Sequence, residues 1–216
     1  ASVGTGRSLR LTNDIADERD PAWSPDGTRL AYASNKSGNW DIYIYDLISG
    51  EEARMTFGLS FEGGPRWSPD GSYLVYESYQ ETEHIDIFIM SADGSPLSQP
   101  RVPGSSATAD FSPSWSPDGS QIAFVSWRDS NKDIYIFTLA DSSVYNLTNT
   151  PNRAEDFPVW SPDGDLVAYS GTENGREIVY VQDVAPNTVA QPYRQGRAPT
   201  WSPDGKQLLI KAQLPE

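Results

Sequence analysis

Four acidic side chains stand at one repeated position, three residues before a proline: Glu18, Glu62, Asp110 and Glu155, with Gly196 at the fifth occurrence. Carboxylates gathered in a narrow space repel one another and need a positive partner, so such a set suits a cation, a lysine or arginine side chain, or an amino terminus. No cofactor is expected from the sequence, although such a channel could hold a calcium ion. The same recurrence fits a second reading, in which each carboxylate accepts backbone N–H bonds at its own place in the fold. Trp40 and Trp127 lie outside the recurring tryptophan positions and are candidate aromatic anchors for a partner. No catalytic residue is assigned. The sole histidine, His84, sits in a polar stretch, cysteine is absent, and the chain has no Gly-x-Ser-x-Gly elbow, no His-Glu-x-x-His pair and no phosphate-binding loop. Paired carboxylates for glycoside hydrolysis stay open, because their separation in space is invisible in sequence.

The elements that must position these residues come from a repeat. Pro-x-Trp-Ser-Pro-Asp-Gly occurs five times, with tryptophans at Trp23, Trp67, Trp115, Trp160 and Trp201, spaced by 44, 48, 45 and 41 residues. A period of that length fits one four-stranded propeller blade. In the third unit Ser116-Pro-Asp-Gly119 is turn chemistry: proline fixes φ early and glycine accepts the positive φ at the exit of a tight hairpin. Unbroken apolar runs follow, Ile122–Val125 and Ile134–Phe137, and equivalents recur at Leu30–Ala33, Leu74–Tyr76, Leu166–Tyr169 and Leu208–Ile210. Short antiparallel strands buried on both faces must lie between other sheets, and like sheets stacked around an axis meet that need. The repeated tryptophan has the bulk to fill the wedge between neighbouring sheets.

The expected fold is thus all-β: a propeller of five blades, mostly of four antiparallel strands, in a single domain with units near 13–56, 57–102, 103–148, 149–193, and 194–216 joined with 1–12. Aligning Leu11-Thr12 with Met55-Thr56 makes Ser8–Leu11 a fourth strand, which predicts that the N-terminal segment closes the last blade. The residues after Trp201 and before Trp23 number 37 together, about one strand short of the other units. The alternative is a segment of a larger propeller. The Ser-Pro-Asp-Gly turns then share one face, and the variable loops share the other with the acids at the channel mouth, where binding is expected.

With five Trp-Ser-Pro-Asp-Gly segments and Asp41, Asp86 and Asp133 opening Asp-Ile-Tyr or Asp-Ile-Phe strands, the chain resembles the TolB-like (WD40-like, PD40) β-propeller family. The resemblance implies a non-catalytic binding or scaffold module in the periplasm or outside the cell. Members of this kind also serve as gating propellers of peptidases, and five-bladed propellers can bind or hydrolyse carbohydrate; both remain alternatives. Charge narrows the partners. With 16 Lys+Arg against 30 Asp+Glu, the net charge of -14 repels phosphate backbones and anionic lipid surfaces. A protein or peptide with basic groups is expected, not nucleic acid, and no apolar run is long enough for membrane insertion.

Overall fold

The structure, a computed structural model, describes residues 10–79, 83–97, 102, 108–185 and 187–212. Among them, strands form five successive antiparallel sheets. The first sheet runs outward as β1 (Glu18–Trp23), β2 (Arg29–Ser34), β3 (Asp41–Asp46) and β4 (Glu52–Arg54). The second holds β5 (Glu62–Trp67), β6 (Tyr73–Ser78) and β7 (Asp86–Ser91); apart from Val102, its expected fourth strand lies outside the described residues. The third comprises β8 (Asp110–Trp115), β9 (Gln121–Ser126), β10 (Asp133–Thr138) and β11 (Val144–Asn146). The fourth comprises β12 (Ala154–Trp160), β13 (Leu166–Glu173), β14 (Arg176–Asp183) and β15 (Gln191–Gln195). The fifth pairs β16 (Arg197–Trp201) with β17 (Leu208–Lys211).

The Ser-Pro-Asp-Gly turn is held by its own side chains. In the first unit Ser24 Oγ donates to Asp26 Oδ1 at 2.6 Å and accepts from Arg29 N at 2.9 Å, while Gly27 takes φ 70°. The same bonds recur at Ser68, Ser116, Ser161 and Ser202. Each serine and aspartate thereby satisfies backbone groups that a two-strand turn leaves over.

The sheets pack face to face in sequence order. Ala31, Ala33, Ile42 and Ile44 of the first meet Trp67, Leu74, Tyr76 and Phe88 of the second. Ala123, Val125, Ile134 and Ile136 of the third meet Trp160, Val167, Tyr169 and Tyr180 of the fourth. Trp67, Trp115 and Trp160 are each 8% exposed, as the wedge role requires. Their indole N–H groups, with that of Trp201, donate to the preceding inner strand at Ala22 O, Arg66 O, Ser114 O and Val159 O, at 3.0 to 3.3 Å.

Trp23 departs from the pattern at 54% exposed; among the described residues no sheet precedes the first to cover it. β16 packs on β12, β13 and β14, and no comparable packing joins β16 or β17 to the first sheet among the described residues. Of the expected closing strand, positions 8 and 9 lie outside the described residues, and Arg10 and Leu11 are in no strand. Among the described residues no helix is long and apolar enough to cross a membrane.

Candidate functional site

Residues of the five inner strands β1, β5, β8, β12 and β16, with Glu77 of β6, line one cavity of about 600 Å³. Every one of these strands is irregular at the same place. The ladder registers shift between Arg19 and Ala22, Gly63 and Arg66, Phe111 and Ser114, Asp156 and Val159, and Arg197 and Thr200. At each shift the residue before the repeat proline adopts a left-handed backbone: Asp20 (φ 54°), Gly64 (φ 61°), Ser112 (φ 54°), Phe157 (φ 55°) and Ala198 (φ 49°). Proline cannot donate to the ladder, so the strand bulges there, and the bulge turns these five residues to the cavity wall. Four of the five are not glycine, and left-handed backbone costs an L-residue about 1–2 kcal/mol.

Two acids and one arginine carry the charge of the lining. Asp20 and Glu77 line the cavity with Arg66, and Asp156 stands behind its wall. Ser112 N donates to Glu77 Oε1 at 2.7 Å, Ser112 Oγ donates to Asp156 Oδ1 at 3.3 Å, and Lys132 Nζ pairs with Asp156 at 3.2 Å. Burial pushes the Glu77 carboxyl up; Ser112 N–H and Arg66 oppose this, and repulsion from Asp20 and Asp156 adds to it. Phe157, 43% exposed, adds an apolar surface to the same wall.

The four acids expected at the channel mouth do not gather there. Glu62, Asp110 and Glu155 are buried between adjacent sheets, Glu18 is exposed, and none lines the central cavity. The bulge is the physical reason: it separates the start of each inner strand from the stretch that faces the cavity. Each acid instead belongs to a junction. Thr12 Oγ1 donates to Glu18 Oε2 at 2.9 Å. Ser78 Oγ donates to Glu62 Oε1 at 3.3 Å, and Glu62 Oε2 is buried with no partner among the described residues. Arg128 Nη2 binds Asp110 at 3.1 Å, and Arg153 Nε binds Glu155 at 2.7 Å, with Thr150 and Thr148 also donating to Glu155. In three junctions this acid faces the acid that opens the third strand of the sheet before it: Glu62 with Asp41, Asp110 with Asp86, Glu155 with Asp133. Burial, the largest cause, pushes the Glu62 and Glu155 carboxyls up to about 7 and raises Asp110 as well. No group of three or more His, Cys, Asp or Glu able to hold a metal ion occurs among the described residues.

The two candidate anchors separate. Trp40 lies under the Arg19 guanidinium, 3.9 Å from its ring centre, and packs on the core between the first two sheets. That stacking covers the ring, so Trp40 presents little to a partner. Trp127 is 41% exposed, with Lys132 Nζ at 5.9 Å from its ring. Reading by side-chain type passed over Asp20, Ser112, Phe157 and Ala198, because they share only a place before proline and a backbone conformation.

Comparison with known proteins agrees with this architecture. The model of the family described as "TolB beta propeller domain" matches residues 2–109 and 98–214. A TolB homolog of Protochlamydia amoebophila (strain UWE25) is 39% identical over 46 residues, 21% of this chain and 10% of that protein. TolB from Acinetobacter baumannii superposes with a TM-score of 0.78 at 23% identity, over 94% of this chain and 51% of that one. An oligogalacturonate lyase in complex with manganese superposes with a TM-score of 0.72 at 18% identity, over 93% of this chain and 63% of that one. At these identities the likeness to the two solved structures is one of fold. The chain spans about half the length of the Acinetobacter protein.

Proposed function

The chain belongs to the TolB beta propeller domain family, and from that premise we propose that it is a non-catalytic module that holds a peptide segment of a partner protein at the central cavity. The observation that carries the reading is the ring of five left-handed residues before proline, repeated at one place in five inner strands and turned to one cavity. A rigid frame that bears backbone strain at its channel wall, on four residues that are not glycine, fits a surface shaped for recognition. Asp20 and Glu77, with Asp156 behind them, favour a lysine, an arginine or an amino terminus, and Phe157 offers an apolar contact beside them. The same proposal takes the five sheets as one ring, with the segment at 8–11 as the outer strand of the fifth, and sets the protein in the periplasm or outside the cell.

The second reading, a carbohydrate-active propeller, draws on the fold likeness to the oligogalacturonate lyase. Charge argues against a polyanionic sugar here, since a chain of net charge -14 with an acidic cavity repels it. The test is binding of a basic peptide library to the protein and to Asp20→Asn and Glu77→Gln variants at low and high salt. Binders should weaken with salt and lose about fivefold or more in affinity in each variant. Turnover of a uronic-acid oligomer, or binders indifferent to both variants and to salt, would defeat the proposal.

A further inference from the structure

Two residues beyond each left-handed position, the inner strands turn a second side chain to the central cavity: Ala22, Arg66, Ser114, Val159 and Thr200. Four of the five are uncharged, so the repeat itself does not call for a guanidinium at Arg66. The fold does not consume it either. Arg66 is exposed, and its recorded side-chain bond runs from Nη1 to Pro65 O at 2.9 Å. None of the ion pairs among the described residues includes it. The other cations beside this wall are engaged: Arg19 Nε lies 3.6 Å from Asp20, and Lys132 Nζ lies 3.2 Å from Asp156. A guanidinium offers five N–H donors in a planar fork that matches a carboxylate, and the Pro65 carbonyl takes one of them.

Glu77 is the diagonal neighbour of this arginine. Arg66 pairs with Val75 in the ladder and Gly63 pairs with Glu77, so the two charges stand on adjacent strands of one sheet. Diagonal positions of this kind are roughly 7–8 Å apart. Arg66 acts on Glu77 through space, opposing the rise of its carboxyl, and closes no ion pair with it. The wall therefore presents a negative and a positive group side by side, both turned to one cavity. On an extended peptide, side chains two residues apart lie on the same side at about 6.5–7 Å, which is nearly the same interval.

We propose that Arg66 sets the specificity of the cavity: the bound segment carries an acidic residue two positions from its basic one, the base meeting Glu77 and Asp20 and the acid meeting Arg66. The proposal rests on the reading of the cavity as a site for a basic peptide segment, and narrows it. A segment whose charges are all basic sets like charge against Arg66, so the arginine also works against polybasic partners. A polyanion meets Glu77 and Asp20 in the same unfavourable way. A segment bearing both charges at this interval leaves neither side of the wall unpaired.

The probe is a bead-displayed octapeptide library with lysine fixed at the fourth position and the others randomised, beside the same library with norleucine for lysine. Selected on the unaltered protein at low salt, the lysine library should be enriched in Asp and Glu at the second or sixth position and not elsewhere. That enrichment should vanish on Arg66→Gln and persist on Arg66→Lys, which keeps the charge. For a selected peptide followed by fluorescence anisotropy, acid-to-amide at that position and Arg66→Gln should each cost about fivefold or more, and both together little further, because they remove one ion pair. A peptide with lysine as its sole charge should gain about twofold or more on Arg66→Gln, which removes a like charge. The peptide series and Arg66→Lys test the same contact without the risk that Arg66→Gln unfolds. Lysine-dependent binding with no preference for acids, a preference that survives Arg66→Gln, or additive losses would overturn the proposal and leave the basic-peptide reading standing. Equal enrichment of acids in the norleucine library would make the wall an anion site and overturn it as well. Binding indifferent to lysine, to Asp20→Asn and to Glu77→Gln would defeat the underlying reading and this one with it.

Discussion

Replacing Glu62 by Gln should remove a substantial part of the pH dependence of stability between about pH 5 and 8. Burial is the main reason the Glu62 carboxyl sits at about 7 against an ordinary 4.5; Asp41 adds repulsion, and Ser78, Thr56 and Arg54 oppose it. The folded chain therefore holds this proton more tightly than the unfolded chain does. The resulting stability is fully present below about pH 4.5 and is lost as pH rises through about 7. Such a displacement corresponds to a ceiling of about 3 kcal/mol at pH 8, reduced by whatever relaxation the ionised group recruits. Glutamine keeps the shape of the protonated acid and never ionises. Glu155, also held at about 7, continues to titrate in the variant and, with the raised Asp110 and Glu77 carboxyls, accounts for the remaining slope. The turn acids do not enter this window: hydrogen bonds from Ser24 and Thr28 hold Asp26 at about 2, so its contribution is lost only as pH falls far below 4. Urea midpoints across the range, for both proteins, measure the effect. The unaltered protein should lose stability from pH 5 to pH 8, and the variant should lose less and become the more stable of the two at pH 8. Stability that rises over this range in the unaltered protein, or an unchanged slope in the variant, would refute the reasoning.

Trp115→Phe should cost about 2–4 kcal/mol, since it leaves a cavity and orphans Arg66 O, whereas Trp23→Phe should stay within about 0.5 kcal/mol, its ring being exposed; denaturant midpoints compare them. Ala198→Gly should raise stability by up to about 1 kcal/mol by relieving the left-handed backbone, while Ala168→Gly within β13 should lower it by about as much or more, read by thermal melting.

The five sheets were legible in the sequence because turn and strand signals agree in every unit. Ser-Pro-Asp-Gly followed by an apolar run leaves few other structures, and Trp67, Trp115 and Trp160 occupy the wedges their spacing predicts. The candidate site was legible only in its chemistry. Acids do line the cavity, but they are Asp20 and Glu77 in place of Glu18, Glu62, Asp110 and Glu155. Counting by twos from the strand start assumes an unbroken pleat, and the proline that breaks it announces a bulge without saying which residue turns inward. Trp40 was misjudged for a different reason. Arg19, on β1 with the whole of β2 between it and Trp40, covers it through a contact that no local pattern reveals.

The serial packing of the sheets has a thermodynamic consequence. Each sheet packs on the one before and the one after it, and the recorded cross-sheet bonds of the indoles, Ser112 and Ala198 all run between immediate neighbours. Among the described residues these contacts make four interfaces in series, and the proposed ring adds a fifth between the last sheet and the first. A lesion in the third sheet weakens two interfaces in either arrangement, while one in the first or fifth sheet weakens a single interface in an open array and two in a ring. Amide exchange separates the two arrangements: an open array exchanges most slowly in β9 and β10 and faster toward β2 and β17, whereas the proposed ring protects the inner strands of all five sheets alike.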